Sequence, residues 1–289
     1  MSQRGSKRSL VAALVMGVLV AGSNAFAGQG LPARPVQHGV NTLVIVTANL
    51  NEAYDAKDVR SMKELAPFAE RVAARTPHDP DVLLLQEVRR SSAKYVARLM
   101  SEETGHRYVL ATELFKGEPY RSTANRWVER DVAVLLNTGT MKSLGKTGVV
   151  ATPKPWGVKD KNMYKEHAYV LARVKSTGTR VVALSLHFPP SPGDRSAYPG
   201  KFSRWTRKVA ERMKRKFPSA TRVVGGDFNQ VSSGAHREVL ENFGYTFILA
   251  QDVILGVDHI FTTGTAGFGG ADKKGSYSDH RFFWGESYL

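Results

Sequence analysis

The chain has 289 residues, 42% of them hydrophobic and 23% charged, with 26 Gly, 13 Pro, no Cys and a formal net charge of +15. That profile excludes a disordered tail and a collagen repeat and fits a globular fold. Without cysteine there are no disulfide staples, thiolate metal sites or thiol nucleophiles, and the basic excess favours polyanionic partners.

Arg4, Lys7 and Arg8 precede an apolar run over 10–20, which Ala25-Phe26-Ala27 follows. A basic head, a short greasy stretch and an A-x-A exit predict a secretory signal over 1–27. The run is about 11 residues, well short of the roughly 20 that span a bilayer as a helix. Export is therefore expected, with 28–41 as a leader and one domain over 42–289. No later stretch is long and apolar enough to predict membrane insertion once the signal is removed.

Along the rest of the chain, Leu43-Val44-Ile45-Val46 reads as a buried strand ending near Asn49. Met62, Leu65, Phe68 and Val72 recur at helical spacing, with Pro67 as a kink or fresh start. A second buried strand covers 81–87. Ser91 then caps a helix whose face carries Tyr95, Val96, Leu99 and Met100. Further strands are predicted at 131–136, 168–175, 180–187, 222–226, 257–262 and 281–284. The clearest helix carries Phe202, Trp205, Val209, Met213 and Phe217 as one apolar stripe, surrounded by eight Lys and Arg and a single acid, Glu211. The expected architecture is an α/β four-layer sandwich: two mainly antiparallel sheets packed face to face, with helices outside.

Polar residues gather where these apolar strands stop. Asn49 ends the first strand and Glu87 the second. His187 follows Val181-Val182-Ala183-Leu184-Ser185-Leu186. Asp227 and Asn229 follow Val223-Val224-Gly225-Gly226, Asp258 opens a strand, and Asp279-His280 precede the closing one. Strand ends of a sandwich can converge on one rim. Carboxylate and amide oxygens there suit a hard cation, Mg2+, with Mn2+ or Ca2+ as alternatives. Two histidines beside carboxylates suit proton transfer near neutral pH. Together they equip a site for metal-assisted hydrolysis of a phosphate ester.

Gln86-Glu87, Gly226-Asp227-Phe228-Asn229 and Ser278-Asp279-His280, in that order, resemble the motifs of the endonuclease/exonuclease/phosphatase superfamily. Within it, the chain is most similar to pancreatic-type deoxyribonucleases (DNase I-like). That resemblance implies a DNase I-like sandwich and assigns further parts. Glu87 is similar to the metal-binding Glu and Arg89 to a DNA-contacting Arg. Glu129 resembles the partner of the first catalytic His, Trp127 stands where an aromatic would contact DNA, and His187-Phe188-Pro189-Pro190 resembles the catalytic His loop. The chain departs from the mammalian enzyme in lacking cysteine and in being basic.

The mechanism expected on this basis has Glu87, Asn49 and Asp279 holding the cation. His280, oriented by Asp258, takes a proton from water. His187, oriented by Glu129, protonates the leaving oxygen, and Asp227 and Asn229 position phosphate and water. Arg89 and Arg121 are the expected backbone contacts, so cleavage of DNA with little sequence selectivity by a secreted monomer is the leading expectation. The basic helix and the lysine-rich segment 142–165 add candidate contacts to the polyanion. A same-fold phosphoesterase acting on a phospholipid such as sphingomyelin or on inositol phosphates is the runner-up. A non-catalytic polyanion-binding protein is the third reading.

Overall fold

Runs of β-branched and aliphatic residues form the centre of both sheets, because such side chains pack on a pleated surface covered on both faces. A computed structural model describes residues 41–53, 59–113, 120–121, 127–153, 163–189, 199–231, 234–248, 256–272, 278 and 280–289. The expected signal and nearly all of the leader lie outside them.

A six-stranded sheet has the order β13-β14-β1-β2-β6-β3, from β1 (Thr42–Ala53), β2 (Val82–Val88), β3 (Tyr108–Leu110), β6 (Val132–Asn137), β13 (Thr265–Ala271) and β14 (Phe283–Tyr288). An eight-stranded sheet follows the path β11-β12-β10-β9-β8-β5-β4, with β7 paired along β8. Its strands are β4 (Tyr120–Arg121), β5 (Trp127–Glu129), β7 (Met141–Pro153), β8 (Met163–Val174), β9 (Arg180–His187), β10 (Thr221–Asp227), β11 (Thr246–Phe247) and β12 (Asp258–Thr262). Most pairings are antiparallel; β1 with β2, β9 with β10 and β5 with β8 are parallel.

Four layers follow from the alternation of side chains along each strand. Leu43 and Ile45 of β1, Val82 and Leu84 of β2, Val181 and Ala183 of β9 and Val223 of β10 meet between the sheets. The opposite face of the first sheet, with Val46, Leu83 and Leu85, packs on helices α1 (Val59–Arg75) and α2 (Arg90–Thr104). The outer face of the second sheet, with Leu184, Leu186 and Val224, packs on α3 (Pro199–Lys216) and α4 (Ala235–Asn242).

The expected α3 stripe of Phe202, Trp205, Val209, Met213 and Phe217 is buried there, and Arg204, Arg207, Lys208, Arg212, Lys214, Arg215 and Lys216 face solvent. Pro67 lies inside α1 and does not divide it. Ser91 is not the cap of α2. The cap position falls two residues earlier, at Arg89, whose N–H donates to the Ser92 hydroxyl at 3.0 Å. Among the described residues no helix is long and apolar enough to cross a membrane.

Candidate active site

Strand pairing alone aligns much of the site. In the parallel register of β9 and β10, His187 lies beside Asp227; in the antiparallel register of β10 and β12, Asp227 lies beside Asp258. Three chemically active residues thus stand in a row across adjacent strand ends. On the facing sheet, Asn49 is registered with Gln86, one residue before Glu87. A polar bridge ties the two rows together just below the rim. Gln86 Nε2 donates to Ser185 Oγ at 2.9 Å, and Ser185 Oγ donates to the Leu85 carbonyl at 2.9 Å. Both side chains are buried, so each bond also prevents an unsatisfied polar group. Beside the bridge, a Cβ on Gly225 would come within 2.7 Å of Leu84 Cδ1; glycine here lets the sheets approach.

The backbone bends to deliver the rest. Among the described residues, the non-glycine residues with positive φ are Asn51 (46°), Glu87 (54°) and Asn229 (51°), and all three belong to this rim. Such conformations are sparsely populated and cluster at functional sites. Glu87 shows why one is needed. Alternation after Leu83 and Leu85 would send Glu87 toward the helices, but its left-handed turn gives that outer place to Val88 and swings the carboxylate to the rim. Gly226, at φ 147°, has no room for a side chain, since a Cβ would lie 1.9 Å from the Leu186 carbonyl oxygen. Asn229 is fixed by its N–H donating to Asp227 Oδ1 at 2.7 Å and its Nδ2 donating to the Phe188 carbonyl at 2.6 Å.

Asn49 Nδ2 donates to both Glu87 Oε1 (2.9 Å) and Asp227 Oδ2 (3.1 Å), drawing two carboxylates together. His187 Nε2 lies 3.7 Å from each of those same oxygens. His280 Nε2 lies 4.0 Å from Asp227 Oδ2, while its Nδ1 meets Asp258 Oδ2 at 2.7 Å. Ligand atoms of Glu87, His187 and Asp227 fall within 4.8 Å of one another, as do those of Asp227, Asp258 and His280. Buried, convergent carboxylate oxygens without a sulfur donor fit a hard divalent cation. Burial, together with the nearby Asp258 charge, raises the Asp227 carboxyl above its ordinary range, partly offset by His187 and His280.

Among the described residues the carboxylate behind His187 is Asp131, whose Oδ2 meets His187 Nδ1 at 2.8 Å. Glu129 belongs to β5 by its backbone, and its side chain lies outside the described residues. Lys165 joins the same group: its Nζ is 2.7 Å from His187 Nδ1 and 3.2 Å from Asp131 Oδ2. The lysine expected as one of a run of surface cations is buried, 3% exposed. Burial opposes ionisation of Asp131, but Lys165 and His187 hold its carboxyl well below the usual carboxylate range. Burial and Lys165 work against a charged His187 ring, yet Asp131 and Asp227 carry its pKa above the ordinary value. His167, behind them, is neutral: burial pushes it down to about 3. Its Nδ1 accepts from the His187 N–H at 3.3 Å, and its Nε2 is 2.8 Å from Thr152 Oγ1.

Asn49, the expected oxygen ligand, is held at both ends of its amide. Its Oδ1 accepts from the Asn51 N–H at 2.9 Å, and its amide nitrogen faces the carboxylates. Asp227, expected to position phosphate and water, stands with Glu87 among the candidate metal-holding groups. Asp279 lies outside the described residues. Arg89 is half-buried at the start of α2, two residues past Glu87. Arg121 and Trp127 are paired across β4 and β5, and their side chains lie outside the described residues. Asp131 carried a usable signal, since it stands before a buried strand as Asp258 opens one.

Two histidines and clustered carboxylates at the strand ends of a four-layer sandwich agree with the family comparison. The endonuclease/exonuclease/phosphatase family model matches residues 46–280. The chain belongs to that family. Its members are metal-dependent phosphoester hydrolases, and this chain is one. No curated protein matches the sequence. A family protein from Bacteroides thetaiotaomicron is 16% identical, with a TM-score of 0.59 over 85% of this chain and 97% of that one. A mannosyl-6-phosphatase from the same organism is 14% identical, with a TM-score of 0.60 over 86% of this chain and 100% of its own. Beta toxin from Staphylococcus aureus is 13% identical, with a TM-score of 0.61 over 84% and 99%. These likenesses show the shared fold.

Proposed function

We propose that this phosphoesterase is an exported endodeoxyribonuclease that cleaves DNA with little sequence selectivity. The observation that carries the hydrolytic chemistry is that His187 Nε2 and His280 Nε2 approach the same oxygen, Asp227 Oδ2, at 3.7 and 4.0 Å. A phosphodiester seated between the two rings has one imidazole for the attacking water and one for the leaving group. Glu87 and Asp227 would hold the divalent cation, Mg2+ by the chemistry of the donors, with Asp279 as a further expected ligand. When bound, the cation draws charge from a non-bridging phosphate oxygen.

The chain's own groups perform the rest. Asp258 on Nδ1 orients His280, whose Nε2 takes a proton from the attacking water. Asn229 and Asn49 hold Asp227 in place. His187 gives its Nε2 proton to the departing oxygen, so water and diester become a monoester and an alcohol. General acid and base groups of this kind contribute about 10²–10⁴-fold each. DNA as the substrate is supported by the excess of basic over acidic residues, which persists without residues 1–27, and by the seven exposed basic residues of α3. Export is supported by the signal-like residues 1–27, and the working unit is proposed to be a monomer.

Nicking of supercoiled plasmid tests the reading, with Mg2+ and with EDTA, alongside sphingomyelin vesicles and sugar and inositol phosphates. Metal-dependent conversion to nicked and then linear DNA is expected. Rapid turnover of a lipid or sugar phosphate with intact plasmid would overturn it in favour of the other substrate class.

A further inference from the structure

Among the described residues, His187 Nδ1 has two close neighbours. Asp131 Oδ2 lies at 2.8 Å, Lys165 Nζ at 2.7 Å, and these two are 3.2 Å apart, so the three atoms form a triangle. Asp131, Lys165 and His187 are buried, at 0%, 3% and 5% exposure, which leaves little water to take over any of the contacts. An ammonium only donates and an ionised carboxylate only accepts. A ring nitrogen therefore satisfies one of them at a time. Carrying a proton, Nδ1 donates to Asp131; bare, it accepts from Lys165. A carboxylate by itself would keep the neutral ring's proton on Nδ1 and leave a lone pair at Nε2.

We propose that Lys165 is a positioning residue that commits His187 to donating: its ammonium binds bare Nδ1 and keeps the neutral ring's hydrogen on Nε2, facing Glu87 and Asp227. Charged or neutral, the ring then presents Nε2–H to the pocket. The neutral ring also has a balanced route through the reaction. As the Nε2–H bond breaks and the leaving oxygen gains the proton, an N–H bond of Lys165 breaks and Nδ1–H forms, now donating to Asp131. The ring stays neutral, the lysine becomes an amine, and a solvent proton recharges it. His280 is built the other way: Asp258 Oδ2 on Nδ1 at 2.7 Å turns a lone pair outward at Nε2, as a base requires. Lys165 thereby divides the acid and base roles between the two imidazoles.

The tautomer can be read directly by ¹⁵N NMR of the EDTA-treated full chain, with the His187 ring assigned by comparison with His187→Asn. In the wild type, the neutral ring is expected to carry its hydrogen on Nε2; in Lys165→Met it is expected on Nδ1. A wild-type ring with Nδ1–H would overturn the proposal, and this measurement needs no variant of Lys165 to fold.

An activity arm rests on the general-acid reading of His187. Lys165→Met should lose about 10²-fold on DNA, whose leaving oxygen needs a proton, and under about threefold on bis-p-nitrophenyl phosphate, whose leaving group does not. Equal losses on both substrates would refute the Lys165 assignment, provided that His187→Ala discriminates between them. If His187→Ala fails to discriminate, it is the general-acid reading that fails, and the tautomer result then judges the lysine independently.

Discussion

His187 ends a central strand with 7% of its side chain exposed, whereas His280 lies between Ser278 and β14 with 20% exposed. The first is enclosed by Asp131, Lys165 and His167. The second is anchored by its own N–H on Ser278 Oγ at 3.0 Å and by Asp258 behind the ring. In the proposed mechanism, solvent access and the partners of Nδ1 suit the two histidines to two different jobs within a single pocket. A base that must pass its proton on benefits from nearby water. A donor whose hydrogen must point one way benefits from a dry, crowded setting, in which each hydrogen bond is stronger.

Replacing each imidazole in turn is the harshest trial of that contrast. His187→Ala and His280→Ala should each lower kcat on DNA by about 10²–10⁴-fold. With bis-p-nitrophenyl phosphate, His187→Ala should recover most of its loss and His280→Ala should not. Identical behaviour of the two variants on both substrates, measured by steady-state kinetics, would erase the distinction.

Between the corners stands Asp227, delivered by Gly226. Gly226→Ala should destabilise the fold by about 2–3 kcal/mol, since the backbone must shift to admit a methyl group. Urea denaturation gives the loss. A variant of wild-type stability would mean that the rim tolerates movement between its two histidines.

The gentlest test sets the catalytic pair against imidazoles that only build the scaffold. Burial holds His167 and His236 down to about 3 and His259 to about 4, whereas an unfolded histidine sits near 6.5. Between those values the unfolded chain binds more protons than the folded one, so stability present above pH 6.5 is lost as pH falls. Asp81 opposes this: burial raises its carboxyl to about 7, so over the same window its folded form keeps a proton that the unfolded form has released. Asp227, raised as well, opposes it in the same sense, so with about 1.4 kcal/mol per pH unit for a fully titrating group the three histidines outweigh the raised carboxyls and stability falls between pH 6 and 5. Urea midpoints across that range measure the slope, and His236→Gln should flatten it by one group's share. A flat profile would mean that these rings are not held neutral.

Much of this rim could be read from the chain because Asn49, Glu87, His187, Asp227 and Asp258 each border an apolar run, and a strand's direction fixes where its last residue goes. The strands that went unread lack that pattern. β7 contains Lys142, Gly145, Lys146 and Gly148, and pairing with β8 makes it a strand despite its composition. β4, β5 and β11 are two or three residues long, too short for any period. His236 borders no apolar run that would mark it as internal, yet it is buried, stacked on His259 at 5.0 Å between ring centroids. Asp131 and Lys165 escaped for another reason. The place of Asp131 ahead of a buried strand could have marked it as a rim residue, but its partnership with Lys165 depends on two segments meeting beside the end of β9, and nothing local in Lys165 announces the encounter. Likeness to a family suggested Glu129, two residues away.

The Gln86–Ser185 bridge has an effect beyond its own bonds. Sliding one sheet past the other would part the Gln86 amide from the Ser185 hydroxyl, and that hydroxyl from the Leu85 carbonyl, in a buried layer with little water to replace the lost bonds. The bridge thus acts as an alignment key, accepting one seating of the two halves and rejecting its near neighbours. An insertion in a surface connection leaves that key untouched, so the outline around the rim can diversify while the spacing of the proton-handling groups stays constant.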